Sequence, residues 1–223
     1  MHIFYSIARK GQWVELPEEE SLHLAKVLRM KAGETVGWMD GQGGLYAARI
    51  VQVHARNSVL EIEKVLEQQV RRVPLHIALA PTKMMERYEW FLEKAVELGV
   101  ERITPILTQR TERNVVKAAR MEKIVLSAMK QSKQAWMPQL DEPMRFTDLF
   151  HDASLPDQKY LAHCLEVPKP VLWNAWNLAA SILVCIGPEG DFSPTEVDEA
   201  LQHGFTAVSL GHQRLRTETA GIM

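Results

Sequence analysis

Ile182-Leu183-Val184-Cys185-Ile186-Gly187-Pro188-Glu189-Gly190-Asp191-Phe192-Ser193-Pro194-Thr195-Glu196 is the stretch whose reading decides the fold. Five consecutive apolar residues, three of them β-branched, predict a strand buried on both faces, as in a parallel sheet. Gly-Pro-Glu-Gly can continue neither a strand nor a helix, so the chain turns there. Ser193 stands three residues before Glu196 with Pro194 between them, which is a capping box with proline at the first helical position. Strand, tight turn and capped helix place a loop at the carboxyl end of a parallel strand, where open α/β sheets bind their ligands. Gly187 and Gly190 would let a ligand approach the backbone closely. A glycine turn in any βα unit would look the same.

Working outward, residues from about 73 to the end alternate β and α patterns. Strands are predicted at Leu75–Ala80, Ile103–Leu107, Lys159–His163 and Ala207–Gly211. Helices are predicted at Met84–Leu98 (with Gly99 as C-cap), Lys117–Gln134, 171–180 and 194–203. This rhythm implies a largely parallel sheet covered by helices. Residues 1 to about 70 read as short strands joined by glycine turns, such as Thr35–Met39, Asp40-Gly41-Gln42-Gly43-Gly44 and Val59–Val65, which suggests a small barrel. One helix, 17–29, interrupts them; on it His23, Lys26 and Arg29 recur at helical spacing, either as a cationic edge for RNA or as a solvated face. The composition break at Gln68–Pro74 marks the domain boundary.

A hydrophobic fraction of 46% against 24% charged residues is that of a soluble globular chain, and a net charge of −2 gives no bulk attraction to nucleic acid. The distribution says more. Residues 109–133 hold seven Lys and Arg against two Glu, enough either to hold phosphates or to make an ordinary wet helix face. Cys164 and Cys185 lie in apolar surroundings, which suits reduced thiols and a cytoplasmic protein. No apolar run approaches membrane-spanning length, and the start lacks the signal-peptide pattern.

Three strand ends point to one edge of the sheet: His163-Cys164-Leu165-Glu166, Ile186–Gly190, and Ser209 through Ala220. Backbone amides and a few charges suit a nucleoside-like ligand. No Gly-x-Gly-x-x-Gly opens a helix after a strand and no Walker loop is present, which weighs against NAD and ATP. His163 and Cys164 lack the spaced partners of a zinc site, and no Gly-x-Ser-x-Gly elbow anchors a hydrolase.

Two segments then become specific: Ile186-Gly187-Pro188-Glu189-Gly190-Asp191-Phe192-Ser193 with Glu196, and Leu210-Gly211 followed by Leu215-Arg216-Thr217-Glu218-Thr219-Ala220. They resemble the signature segments of the SPOUT-class 16S ribosomal RNA uridine-N3 methyltransferase family. Leu24-x-x-Val27-Leu28-Arg29, Lys83 with Arg87 through Glu97-Leu98-Gly99, Gln109–Arg113 and Gln131-Ser132 match in the same order along the whole chain.

The resemblance implies an α/β fold in two domains. Residues 1–70 would be a PUA-like RNA-binding β-barrel and 73–223 a SPOUT methyltransferase domain with a deep trefoil knot. It also implies a cytoplasmic homodimer, with S-adenosyl-L-methionine (AdoMet) as cofactor and 16S ribosomal RNA or the small ribosomal subunit as partner. The activity implied is AdoMet-dependent methylation of N3 of one uridine, a step of rRNA processing and ribosome biogenesis. His163, Leu165, Ile186, Gly187, Pro188, Gly190, Leu210, Gly211 and Leu215 would bind the cofactor; no metal is implied. Arg216 or Arg87 would stabilise the uridine anion, and His23, Arg29, Lys83, Arg110 and Arg113 would hold RNA. Glu189 is either a base facing the cleft or a carboxylate at the following helix N-terminus.

This sequence departs from the resemblance at Asp191, where many members carry glycine, and at Gln213, where many carry arginine and here Arg214 follows. It ends at Met223, near where the family's last helix would begin. Competing readings are another SPOUT enzyme methylating a ribose 2′-OH of transfer RNA, or a non-catalytic RNA-binding protein. A nucleotide-dependent oxidoreductase is weaker, because the glycine fingerprint is absent.

Overall fold

The computed structural model describes residues 1–70, 73–113, 115–177 and 179–223. The chain divides into two compact units, one formed by Met1–Arg71 with Leu126–Met137 and the other by Arg72–Val125 with Pro138–Met223. Arg71 and Arg72, inside the boundary expected from composition, lie outside the described residues.

The first unit contains β1 (Ile3–Tyr5), β2 (Arg9–Lys10), β3 (Trp13–Glu15), α1 (Glu18–Leu22), β4 (Thr35–Met39), β5 (Gly44–Gln52) and β6 (Val59–Gln68). They form one sheet in the order β1-β4-β5-β6-β3-β2. The sheet curls because the three residues joining β1 to β2 reach its far end: Glu15 N donates to Ala8 O at 3.0 Å and Ser6 Oγ to Glu15 O at 2.5 Å. Inside the curl Trp38, Phe4, Val14, Leu24 and Leu60 are fully buried, each such side chain contributing about 1.5–3 kcal/mol by leaving water.

The helix expected over 17–29 is α-helical only to Leu22 and continues as a π-helical turn over His23–Val27. Arg29 has already left it, with φ of 52°, so it does not share a helix face with His23 and Lys26. A π turn widens the helix and breaks the i, i+3 register on which that expectation rested.

The second unit contains β7 (Leu75–Leu79), α2 (Met85–Leu98), β8 (Arg102–Leu107), α3 (Ala118–Ser132, its last turns counted with the first unit), β9 (Gln139–Leu140), β10 (Met144–Arg145) and α4 (Phe146–Leu149). β11 (Gln158–Ala162), α5 (Leu172–Ala175), β12 (Ile182–Ile186), α6 (Pro194–Gln202), β13 (Thr206–Val208) and α7 (Thr217–Ala220) complete it. Every pairing is parallel, in the order β10-β8-β7-β12-β11-β13 with β9 also on β8. β12 lies centrally between β7 and β11 with all five residues buried, as its apolar run predicts. Apolar layers cover both faces, Tyr88, Phe91, Leu92 and Met121 on one, Phe146, Phe192, Val197 and Phe205 on the other.

The helix expected over 171–180 is a single turn, Leu172–Ala175; Trp176 is extended. Gln158 stops it, its Oε1 accepting from Asn177 N at 2.8 Å and its Nε2 donating to the carbonyls of Asn177, Ala180 and Ser181. Leu178, within that expectation, lies outside the described residues. The final strand ends at Val208, three residues early, because Gly211 turns at φ of 131°.

Away from the carboxyl ends of the strands, His76 Nε2 lies 2.7 Å from Thr104 Oγ1, which donates to Asp141. Arg102 joins the same cluster through Asp141 (2.7 Å), Asp152 (2.8 Å) and Ser154 (2.7 Å). Burial, with the Arg102 charge, pushes the His76 imidazole down to about 4.

Candidate active site

The turn after β12 is held by three carboxylates, each accepting the backbone N–H of a different neighbouring segment. Glu189 Oε1 accepts from Lys83 N at 3.1 Å, Asp191 Oδ2 from Cys164 N at 2.8 Å, and Glu196 Oε1 from Gln109 N at 2.8 Å. Those donors lie beyond β7, β11 and β8, so the turn is tied to three other strand ends. Glu196 also completes the capping box of α6: its Oε2 accepts from Ser193 N (2.8 Å) while Ser193 Oγ accepts from Glu196 N (3.2 Å). Arg110 adds a fourth tie, donating from Nη1 to Gly190 O at 2.8 Å.

Asp191 sits at φ of 61°, a region where asparagine, aspartate and glycine are the usual occupants. Its second oxygen accepts from Phe192 N at 2.9 Å, so this carboxylate both fixes its own turn and staples it to Cys164. At Gly187 a Cβ would stand 3.1 Å from Phe192 N, a tight contact that asks the turn to give by a few tenths of an ångström.

The second strand end, after β11, brings His163. Its Nδ1 accepts from Leu165 N at 3.2 Å, which leaves the ring hydrogen on Nε2. That Nε2 is buried and has no hydrogen-bond partner among the described residues. Burial lowers the imidazole's pKa, helped by Lys169 and opposed by Asp191, so the ring stays neutral near pH 7. Cys164 beside it is exposed, while Cys185 in β12 is buried and its thiol is pushed up by burial.

The third strand end runs from Ser209 to Thr217. Ser209 anchors it, donating from N to Pro170 O at 2.9 Å and accepting Gly211 N at its hydroxyl at 3.1 Å. The three turns and Arg87 from α2 enclose one open cleft of about 1030 Å³. All nine residues expected to hold the cofactor line it: His163 and Leu165 from the first turn, Ile186, Gly187, Pro188 and Gly190 from the second, Leu210, Gly211 and Leu215 from the third.

Arg216 and Arg87 line it too. Arg216 is exposed at the N-cap position of α7; Arg87 Nε lies 3.7 Å from Glu218 Oε1. Glu218 is buried and its Oε2 has no hydrogen-bond partner among the described residues. Glu189 also lines the cleft, but one of its oxygens is occupied by Lys83 N.

The residues expected to meet RNA are divided. Lys83, Arg110 and Arg113 are exposed in the second unit; Lys83 Nζ pairs with Glu112 at 2.8 Å, and the Arg110 guanidinium serves the β12 turn. His23 and Arg29 are exposed in the first unit. Sequence reasoning missed Glu218 and the stapling role of Asp191. The signal for Glu218 was a carboxylate two residues after Arg216 at a helix start; nothing in the sequence points from Asp191 to Cys164.

Residues 69–223 match the family model described as RNA methyltransferase domain, and residues 16–63 match the RNA methyltransferase PUA domain. A Synechocystis protein named ribosomal RNA small subunit methyltransferase E is 31% identical over 212 residues, which cover 93% of this chain and 69% of the relative. The crystal structure of a probable rRNA-methyltransferase from Porphyromonas gingivalis superposes with a TM-score of 0.87 at 37% identity, covering 100% of this chain and 94% of that one. A ribosomal RNA small subunit methyltransferase E from Neisseria gonorrhoeae, solved bound to S-adenosyl methionine, superposes at 0.85 with 28% identity, covering 100% and 94%.

Proposed function

The chain belongs to the ribosomal RNA small subunit methyltransferase E family, and from that we infer that it methylates N3 of one uridine in 16S ribosomal RNA, with AdoMet as donor. The observation that carries this reading is the convergence of three sequence-distant turns on one cleft. At about 1030 Å³ it is ample for a nucleoside joined to an amino acid.

The cleft's own residues fit AdoMet. Leu165, Ile186, Leu210 and Leu215 offer apolar walls for an adenine, and the unpartnered His163 Nε2 offers a buried donor. Gly187 and Gly190 line the cleft, but the space a Cβ would take at each is already filled, by Phe192 and by Arg110, so these glycines serve the packing of the turn rather than the close ligand approach expected of them. AdoMet supplies, when bound, a sulfonium methyl whose departure leaves a neutral thioether. The protein's remaining task is to hold uridine N3 in line with that methyl and to manage the N3 proton.

As N3 loses its proton, negative charge spreads over O2 and O4 of the base, and Arg216 and Arg87 stand at the cleft to stabilise it. Arg87 is oriented by Glu218. Lys83, Arg110 and Arg113, with His23 and Arg29 on the PUA-like unit (residues 1–70), hold RNA phosphates, giving salt-dependent affinity. Because N3 is normally engaged in pairing, the target base is taken unpaired or flipped out. The reading includes the trefoil knot of the domain at 73–223, a homodimer and a cytoplasmic site of action. Among the described residues, no helix is long and apolar enough to cross a membrane.

The test is nucleoside mass spectrometry of 16S ribosomal RNA from cells with and without this gene, with purified protein and AdoMet added back. Restored 3-methyluridine supports the reading; a ribose-methylated nucleoside, or no methylated product, overturns it. Sedimentation of the purified chain tests the dimer.

A further inference from the structure

Where α2 begins, the second unit has a separate hollow of about 460 Å³, lined in part by Lys83 and Arg113 and outside the cofactor cleft. One wall is Lys83, Met84, Met85, Glu86 and Glu89; the other is Arg113, Val115 and Lys117 with Arg120 and Met121 from the start of α3. Its charges are of two kinds. Lys83 pairs with Glu112 and Arg120 with Glu89, so each of those two cations already has a carboxylate beside it. Arg113 and Lys117 are exposed and have no ion-pair partner among the described residues.

α2 is fourteen residues long and its N-cap residue, Met84, makes no capping side-chain hydrogen bond; Arg87 N turns back to Met84 O at 3.0 Å, which leaves the N–H groups of Met85 and Glu86 for an acceptor outside the helix. Between the charges lies apolar surface: Met84 and Val115 are 51% and 69% exposed, with Met85 partly and Met121 fully buried. Methionine and valine are soft, flat partners for a base face.

We propose that this hollow holds the nucleotide adjoining the target uridine in the RNA strand, its phosphate between Arg113, Lys117 and the start of α2, its base against Met84 and Val115. The position supports it. Lys83, in the hollow, gives its backbone N–H to Glu189 of the cleft, and Arg87, one helical turn further along α2, lines the cleft itself. A strand whose uridine enters the cleft therefore passes the hollow at its next residue. A nucleotide brings one negative charge and an apolar face, which suits the two unpaired cations and the exposed methionine. An acidic peptide would set several carboxylates against Glu86 and Glu89, and a free phosphate would leave most of the volume empty.

The inference rests on the cleft being the methylation site. The experiment uses the full chain with AdoMet and 16S ribosomal RNA carrying 4-thiouridine, irradiated and digested. The methylated nucleotide is mapped in the same RNA. The expected result is that peptides containing Met84–Glu89 or Val115–Met121 carry the nucleotide next to the methylated one. Lys117→Glu is expected to weaken RNA binding about tenfold at low salt and to lower the salt dependence by about one charge, and Met84→Ser to reduce that cross-link at least threefold. AdoMet affinity, measured on the same variants, reports whether they still fold. If those peptides carry no nucleotide, or one remote from the methyl mark, the hollow is not a nucleotide site although the cleft reading stands. If wild-type protein makes no methyl mark, the cleft reading fails and takes this inference with it.

Discussion

Two of the turns that line the cleft are held in opposite ways. Gly187–Glu196 is tied to three other strand ends through Glu189, Asp191 and Glu196, and again through Arg110. Ser209–Thr217 is anchored at Ser209 and Gly211, and beyond them His212–Leu215 make no hydrogen bond to another segment among the described residues. The first wall is built before any ligand arrives, so little ordering entropy remains to be lost on binding. The second carries Arg214 on that unbonded stretch and Arg216 just past it, at the N-cap of α7. Shape resides in one wall and charge in the other.

Arg216→Ala breaks the comparison most sharply. On the role proposed for Arg216, its loss is expected to slow methylation about 100-fold while AdoMet affinity changes less than about threefold. Steady-state rates and calorimetry on one preparation separate the two, and equal losses in both would remove Arg216 from catalysis.

Asp191→Gly attacks the built wall. Glycine accepts φ of 61° without strain, so the turn survives while the staple to Cys164 is lost. AdoMet affinity is expected to fall about tenfold, the equivalent of one charge-assisted hydrogen bond at ~1.4 kcal/mol, with the melting temperature little changed. Asp191→Ala, which strains that backbone as well, is expected to lower both. An unchanged affinity in the glycine variant would show that the staple does not shape the cofactor site.

Glu189→Gln is expected to cost only about two- to threefold in rate, because an amide oxygen still accepts Lys83 N–H. A loss of about 100-fold or more would instead identify Glu189 as the group that takes the N3 proton.

His76 is remote from both walls and leaves the cleft untouched. Its folded pKa of about 4 lies below the ordinary 6.5, so on acidification the unfolded chain takes up the proton first. Stability is full above pH 6.5 and falls on the order of 2–3 kcal/mol as pH drops toward 4. His76→Asn should flatten that fall in thermal unfolding and leave AdoMet affinity unchanged at pH 7.5.

The built wall was the more legible of the two. The apolar run of β12, the glycine-proline turn and the Ser193–Glu196 capping box are local patterns, and each appears in the structure as read. The partners of Glu189, Asp191 and Glu196 were not legible, because they lie 106, 27 and 87 residues away and a backbone N–H has no residue type to recognise. The aliphatic pattern of 171–180 suggested a longer helix than forms, since the side chain that ends it, Gln158, belongs to a different strand. Arg29 was assigned to a face it leaves, because a π turn has no distinct hydrophobic period. The nine positions expected to hold the cofactor come from the family resemblance; the residues alone point to a crevice suited to a nucleoside-like ligand and to a basic segment over 109–133.

The chain has only two sulfhydryl groups, and they differ in accessibility. Cys185 is sealed inside the central strand, whereas Cys164 stands exposed on the rim of the cleft. A maleimide dye would therefore attach at one position, within reach of the arriving ligand. Without any engineered mutation, the protein offers a place to install an optical reporter of occupancy.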